Sequence, residues 1–205
     1  MMFKDRIEAG KKLIAEVKRV VKGESLVLGI PRGGVVIGKV VADKLGWKFD
    51  VLVTKKIGFP RQEELAMGAV AEDGRPVWDK RLKKRVSEDE WKKELIKTRE
   101  KVERYIREFR KEKKLNVKGK TVIIVDDGIA TGKTVEAGIS WLRKEEVNKI
   151  VIATPVCAKD TAEKLKELVD EWICLSMPVN FMAVGQFYEE FSQVSDEEVK
   201  QLLVE

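Results

Sequence analysis

Short apolar runs alternate with segments of helical periodicity along most of this 205-residue chain. Residues 25–30, 49–54, 121–125, 149–156 and 172–175 read as strands, and 121–125, apolar and β-branched, is the clearest of them. Segments with an apolar residue every three or four positions separate them, at 35–45, from about 134 to 146 and at 160–169. Strands that stay apolar throughout, rather than alternating with polar residues, are covered on both faces. The pattern therefore predicts an α/β fold, a mostly parallel sheet with helices on both sides. In such sheets ligands bind beyond the carboxyl ends of the strands. Two glycine-rich turns follow strands here, Pro31-Arg32-Gly33-Gly34 and the stretch from Asp126 to Thr134, and both are expected to face one cleft.

The rest of the chain adds helices and a tail. Residues 3–22 carry Phe3, Ile7, Leu13, Ile14, Val17, Val20 and Val21 at helical spacing. Residues 55–66, with Gly58, Pro60 and several charges, read as a loop, and 67–72 with 76–78 as a hairpin around Asp73-Gly74. Asp160 with Glu163, and Ser195 with Glu198, read as helix caps, and 178–194 is irregular and rich in aromatic residues.

Composition removes several chemistries. The chain has no histidine, which excludes a Ser-His-Asp triad, a Cys-His pair and every histidine-containing metal site. Two cysteines, Cys157 and Cys174, make neither a zinc site by themselves nor a CxxC motif, and read as buried thiols. No run approaches the ~18 apolar residues of a membrane-spanning helix, and no apolar leader opens the chain. A cytoplasmic protein without a membrane partner is expected. Many Lys and Glu, with only Asn116, Asn148 and Asn180, suggest a heat-adapted source.

The net charge is +6, and residues 79–120 hold 18 basic against 9 acidic residues, so the remainder of the chain is acidic. Trp91, Leu95, Thr98, Val102, Tyr105, Ile106 and Phe109 form an apolar stripe through that segment, and Ser87 with Glu90 reads as its capping box. The expected structure is a long helix packed along its stripe with the cations in water, and nucleic acid is not the expected partner.

Glycines, small side chains and Thr131 at the start of a helix suit a phosphate, because backbone N–H groups and the helix terminus both favour negative charge. The spacing is not that of a nucleotide P-loop, since Asp127 stands where its first glycine belongs, and the turn after Gly29 lacks the GxGxxG spacing. The thirteen residues from Val122 to Thr134, four aliphatics, two acids and a phosphate loop, resemble the 5-phosphoribosyl 1-diphosphate (PRPP) signature of type I phosphoribosyltransferases. Residues 28–38, 64–70 and 178–199 are similar to a stand-alone bacterial and archaeal branch of that family whose substrate is unassigned.

The resemblance implies a single phosphoribosyltransferase domain over 1–205, with a core at about 23–177, a flexible catalytic loop at about 55–66 and a base-selecting hood at 178–205. It implies Mg²⁺-dependent transfer of ribosyl 5-phosphate from PRPP to an unidentified nitrogen base or amine. PRPP would be held by Asp126, Asp127, Gly128, Ile129, Ala130, Thr131, Gly132, Lys133 and Thr134, with Pro31, Gly33 and Gly34 at the diphosphate. Mg²⁺ would be held by Asp126 and Asp127 through water. Arg32, Lys55, Lys56 and Glu64 are the catalytic candidates, Phe181 and Tyr188 the residues facing the acceptor, and a homodimer is compatible with the family. The acid pair is expected at the rim of the cleft, serving binding rather than folding. Two departures stand out: Ala130 where enzymes acting on hypoxanthine and guanine carry Asp, and Gly128 where a larger aliphatic is usual. The other reading is a PRPP- or nucleotide-sensing regulator that binds RNA or DNA without catalysis.

Overall fold

The computed structural model describes residues 1–111 and 113–204, with all their side chains except those of Glu63 and Glu64. In chain order the elements are α1 (Arg6–Val20), β1 (Leu26–Gly29), α2 (Gly33–Leu45), β2 (Lys48–Val51), β3 (Lys55–Phe59), β4 (Gln62–Val70), β5 (Pro76–Trp78), α3 (Lys80–Lys83), α4 (Glu88–Arg110), β6 (Thr121–Val125), α5 (Lys133–Lys144), β7 (Lys149–Val156), α6 (Lys159–Lys166), β8 (Glu171–Ser176) and α7 (Asp196–Val204). A single 3₁₀ turn, Val184–Phe187, precedes α7.

The main sheet is parallel, in the order β2-β1-β6-β7-β8. Its inner strands β1, β6 and β7 bury successive side chains on alternate faces, while the edge strands β2 and β8 are only partly buried. Val122, Ile124, Ile150 and Ile152 meet Val135, Ile139 and Leu142 of α5 and Leu165 of α6. Ile123, Val125, Val151 and Ala153 meet Leu13 and Val17 of α1 and Ile37 and Val41 of α2. That double burial is why these strands read as unbroken apolar runs.

A second, antiparallel sheet, β3-β4-β5, packs beside α5 and α4. It includes residues 55–66, which form a hairpin rather than an irregular loop. The features that read as loop sit at its irregularities: the register shifts on both sides of Gly58, and Pro60 and Arg61 make the turn, Arg61 with φ 65°. The hairpin around Asp73-Gly74 is present as β4–β5. Trp91 of α4 meets Trp78 of β5 edge to face at 5.4 Å, while Leu95, Val102, Tyr105 and Phe109 are buried on the expected stripe.

Both hydrogen bonds of the Ser87–Glu90 capping box are formed. So are those between Ser195 and Glu198. The box expected at Asp160 is not: Ala158 precedes the first turn of α6 and no side chain caps it. Among the described residues, no helix is long and apolar enough to cross a membrane.

Candidate active site

β1 and β6 are adjacent and parallel, so the turns that leave their carboxyl ends lie side by side. Ile30 N–H donates to Val125 O at 2.8 Å, carrying the pairing one residue into the turns. Beyond it opens a cavity of about 240 Å³. Asp126 through Gly132 and Thr134 form one wall, and Ile30, Pro31, Arg32, Gly33 and Lys56 the other, with Val184 of the tail closing one side. The peptide bond between Pro31 and Arg32 is cis.

The loop from Asp126 to Thr134 is shaped by what surrounds it. Gly132 adopts φ 71° and leads into α5, whose first turn has no side-chain cap. No side chain therefore caps the N–H groups that open α5, and Gly132 and Thr134 at this terminus line the cavity. Thr161 donates to Ala130 O at 2.6 Å and Ile129 N–H donates to Val156 O at 2.9 Å, which fixes the loop on β7 and α6. Gly128 is explained by the tail: a β-carbon there would overlap Val184 Cγ1. The usual larger aliphatic has no room.

The two acids differ in their partners. Asp126 Oδ1 accepts from Asp127 N–H at 2.9 Å. Burial pushes the Asp126 carboxyl well above the usual carboxylate range, and the charge of Asp127 adds to it. Asp127 is also raised by burial, but Arg6 of α1 opposes the shift, with Nε 2.8 Å from Oδ2. Arg6 Nη1 donates to Ser192 O at 2.8 Å, and its guanidinium lies 4.0 Å over the Phe191 ring. Tyr188 donates to Asp127 O at 2.6 Å. A β-carbon on Gly33 would overlap the Asp127 carboxylate, so the first turn needs glycine there to approach the second. Asp127 is thus the point where α1, the tail and both turns meet, not a solvated acid at the rim.

Most of the expected residues converge, and some do not. Arg32, Lys56, Pro31, Gly33, Thr134 and the run from Asp126 to Gly132 line the cavity. Lys55 lines the neighbouring cleft together with Arg32 and Lys56. Gly34 faces the strand backbone, where a β-carbon would lie 2.5 Å from Val125 O. The Lys133 side chain turns away and pairs with Glu136 at 2.7 Å, leaving only its backbone at the loop. Tyr188 is buried between Phe3 and Phe191, with ring centroids 5.5 and 5.1 Å away, and its hydroxyl is spent on Asp127, so it presents no free face to an acceptor. Phe181 packs at a tilt against Phe187, ring centroids 5.1 Å apart, within the same apolar cluster and does not line the cavity. The Glu64 side chain lies outside the described residues.

Among the described residues no group of three or more acidic, cysteine or histidine side chains could hold a metal by itself. The Asp126–Asp127 pair nevertheless fits Mg²⁺, which keeps several waters and takes one or two carboxylates plus substrate phosphates.

Comparison with known proteins agrees with this arrangement. Residues 4–190 match the model of the phosphoribosyl transferase domain. Rv0571c of Mycobacterium tuberculosis strain H37Rv, named a phosphoribosyl transferase by inference only, is 37% identical over 204 residues, which are 97% of this chain and 45% of that protein. The chain thus spans about half the length of the curated relatives it matches. The crystal structure of TT1426 from Thermus thermophilus is similar at a TM-score of 0.81 and 36% identity, covering 100% of this chain and 98% of that one. A purine phosphoribosyltransferase from Pyrococcus horikoshii shares the fold at a TM-score of 0.52 and 17% identity, covering 95% of this chain and 97% of that one. With a family model spanning nearly its whole length and a parallel sheet whose two turns meet at an acid pair and an open helix terminus, the chain belongs to the type I phosphoribosyltransferases.

Proposed function

We propose that the protein transfers the ribosyl 5-phosphate of PRPP to a nitrogen base or amine and releases diphosphate. The observation that carries this reading is the composition of one cavity: paired acids and an uncapped helix terminus on one wall, Arg32 and Lys56 on the other.

The 5-phosphate sits at the amides of 130–134 with Thr131 and Thr134, the Ile129 amide being used on Val156. Asp126 and Asp127 accept hydrogen bonds from the ribose hydroxyls. The anomeric C–O bond to diphosphate breaks with its electron pair as the acceptor nitrogen supplies the new bond, and the acceptor's proton leaves to solvent. The ribosyl group resembles an oxocarbenium ion midway, so the demand is for cations at the departing oxygens. Arg32, Lys55 and Lys56 supply fixed ones. Mg²⁺, held by Asp126 and Asp127 through water, would neutralise further charge on the diphosphate.

The assay is diphosphate release from PRPP with Mg²⁺ over a panel of purines, pyrimidines and amines. Turnover with at least one acceptor is expected. PRPP binding without release for any of them would favour the regulator instead.

Ala130 offers no carboxylate beside the acceptor. Hypoxanthine and guanine are therefore expected to be poor acceptors. Either one matching the best acceptor in kcat/KM would contradict this.

The β3–β4 hairpin is the segment we assign to closure, because an oxocarbenium must be shielded from water. Limited proteolysis near Arg61 should slow when PRPP and Mg²⁺ are added, and an unchanged cleavage rate would count against a lid.

A further inference from the structure

With the departing diphosphate on the wall of Arg32 and Lys56, as proposed above, the incoming electron pair enters the anomeric carbon from the opposite face. The opposite wall is the loop from Asp126, and Val184 of the tail packs on it at Gly128. A β-carbon on Gly128 would overlap Val184 Cγ1, lie 2.9 Å from Cγ2 and lie 3.0 Å from Val156 Cγ1. No atom therefore fits between loop and tail at this point. Val184 is also pinned. It opens the 3₁₀ turn, and Gln186 ties that turn to the chain before it. Gln186 Oε1 accepts from Met182 N–H at 2.9 Å and from Ala183 N–H at 3.1 Å, and its Nε2 donates to Asn180 O at 3.0 Å. Phe3 N–H donates to Phe187 O at 2.8 Å, and Glu189 N–H donates back to Phe3 O at 2.9 Å. Phe191 lies close on Gly185, where a β-carbon would be 2.9 Å from its Cδ1.

The polar groups around the same point are engaged within the chain. Asp127 O accepts from Tyr188, and Ala130 O accepts from Thr161. Ile129 N–H donates to Val156 O, and Ile129 O accepts from Ala158 N–H, both at 2.9 Å. The side chains of Ile129, Ala130 and Val184 carry no donor or acceptor, and among the described residues no aromatic ring lines the cavity. A heterocyclic base is held by a few placed polar groups and by faces that cover its ring. This corner offers neither the free polar groups nor the width.

We propose that the acceptor is ammonia or a primary amine no larger than methylamine, and that Val184 is the residue that keeps ring-shaped acceptors out. The inference rests on the phosphoribosyl-transfer reading and narrows its acceptor. The size of the cavity agrees: about 240 Å³ is below the roughly 300 Å³ at which pockets for whole small molecules begin, so the sugar phosphate takes up most of it. The amine nitrogen gives its lone pair to the anomeric carbon while the C–O bond breaks and its electron pair leaves with the diphosphate. The nitrogen then loses a proton to solvent, and the product is the 1-amino sugar phosphate. A nucleophile of this size needs no edge-reading partner and no covering face.

The test measures diphosphate release from Mg-PRPP with ammonia, methylamine, imidazole, uracil and adenine in turn, for wild type and for Val184→Ala. The pH is mildly alkaline, so that part of each amine is unprotonated. A pocket too small by one methylene discriminates by roughly 10–200-fold. Wild type is expected to turn over ammonia and methylamine, and to turn over each ring at least about tenfold more slowly than methylamine. Val184→Ala should raise release with imidazole by about tenfold or more, a gain that a misfolded protein cannot show. Wild-type turnover of any ring as fast as of methylamine overturns the inference and leaves phosphoribosyl transfer standing. Release at the same rate without any amine, yielding ribose 5-phosphate, also overturns it, because water is then the acceptor. PRPP that binds and releases no diphosphate with any acceptor overturns the transfer reading and the inference with it. A Val184→Ala protein that binds PRPP and gains nothing with imidazole overturns Val184 as the barrier.

Discussion

Replacing Arg6 with alanine is expected to lower stability by about 3 kcal/mol, the low end for removing one partner of a buried ion pair. The low end applies because Asp127, already raised by burial, can take up a proton once the guanidinium is gone instead of remaining a buried anion. For a domain of this size the melting temperature falls by roughly 6–12 °C. The loss extends beyond one ion pair, since Arg6 also holds Ser192 O and lies against Phe191. The tail is joined to the start of the chain at Phe3 as well, whose N–H donates to Phe187 O at 2.8 Å. Arg6→Ala should therefore loosen the tail and weaken PRPP binding, because Asp127 is no longer held toward the cavity. Arg6→Lys keeps the charge but not the second donor or the planar stack, and is expected to recover only part of both losses. Thermal melts and PRPP titrations decide it. An Arg6→Ala protein that melts within a degree or two of wild type would show that the pair does not hold the tail.

What could be read from the sequence follows the range of the forces involved. β6 and its loop were legible because they are local: an apolar β-branched run, then glycines and acids in consecutive positions. The capping box of α4 was legible for the same reason. The partners of the acids were not. Arg6 stands 121 positions before Asp127 and Tyr188 stands 61 after it, and neither spacing carries a periodic signal. An arginine in an amphipathic helix and a tyrosine in an aromatic tail look like surface and acceptor residues until the fold closes around them. Residues 55–66 misled because Gly58 and Pro60 are turn formers, and only the partner strand β4 shows that they mark a bulge and a tip.

The two acids are expected to part company when each is neutralised. Asp126→Asn removes a buried like charge beside Asp127 and should leave the melting temperature unchanged or slightly raised. Asp127→Asn deprives Arg6 of its counter-charge and should lower it. A hydrogen bond to a charged group is worth roughly 1.5–3 kcal/mol, so each change should still weaken Mg-PRPP binding by more than about tenfold. Calorimetric titration of Asp126→Asn with Mg-PRPP, beside its thermal melt, tests the central claim most directly, because this variant separates the site from the fold. The account predicts a protein that melts at or above the wild-type temperature and binds Mg-PRPP more than about tenfold more weakly. A variant of the same stability that binds PRPP as tightly as wild type would contradict it, and would mean that the paired acids do not face the ribose.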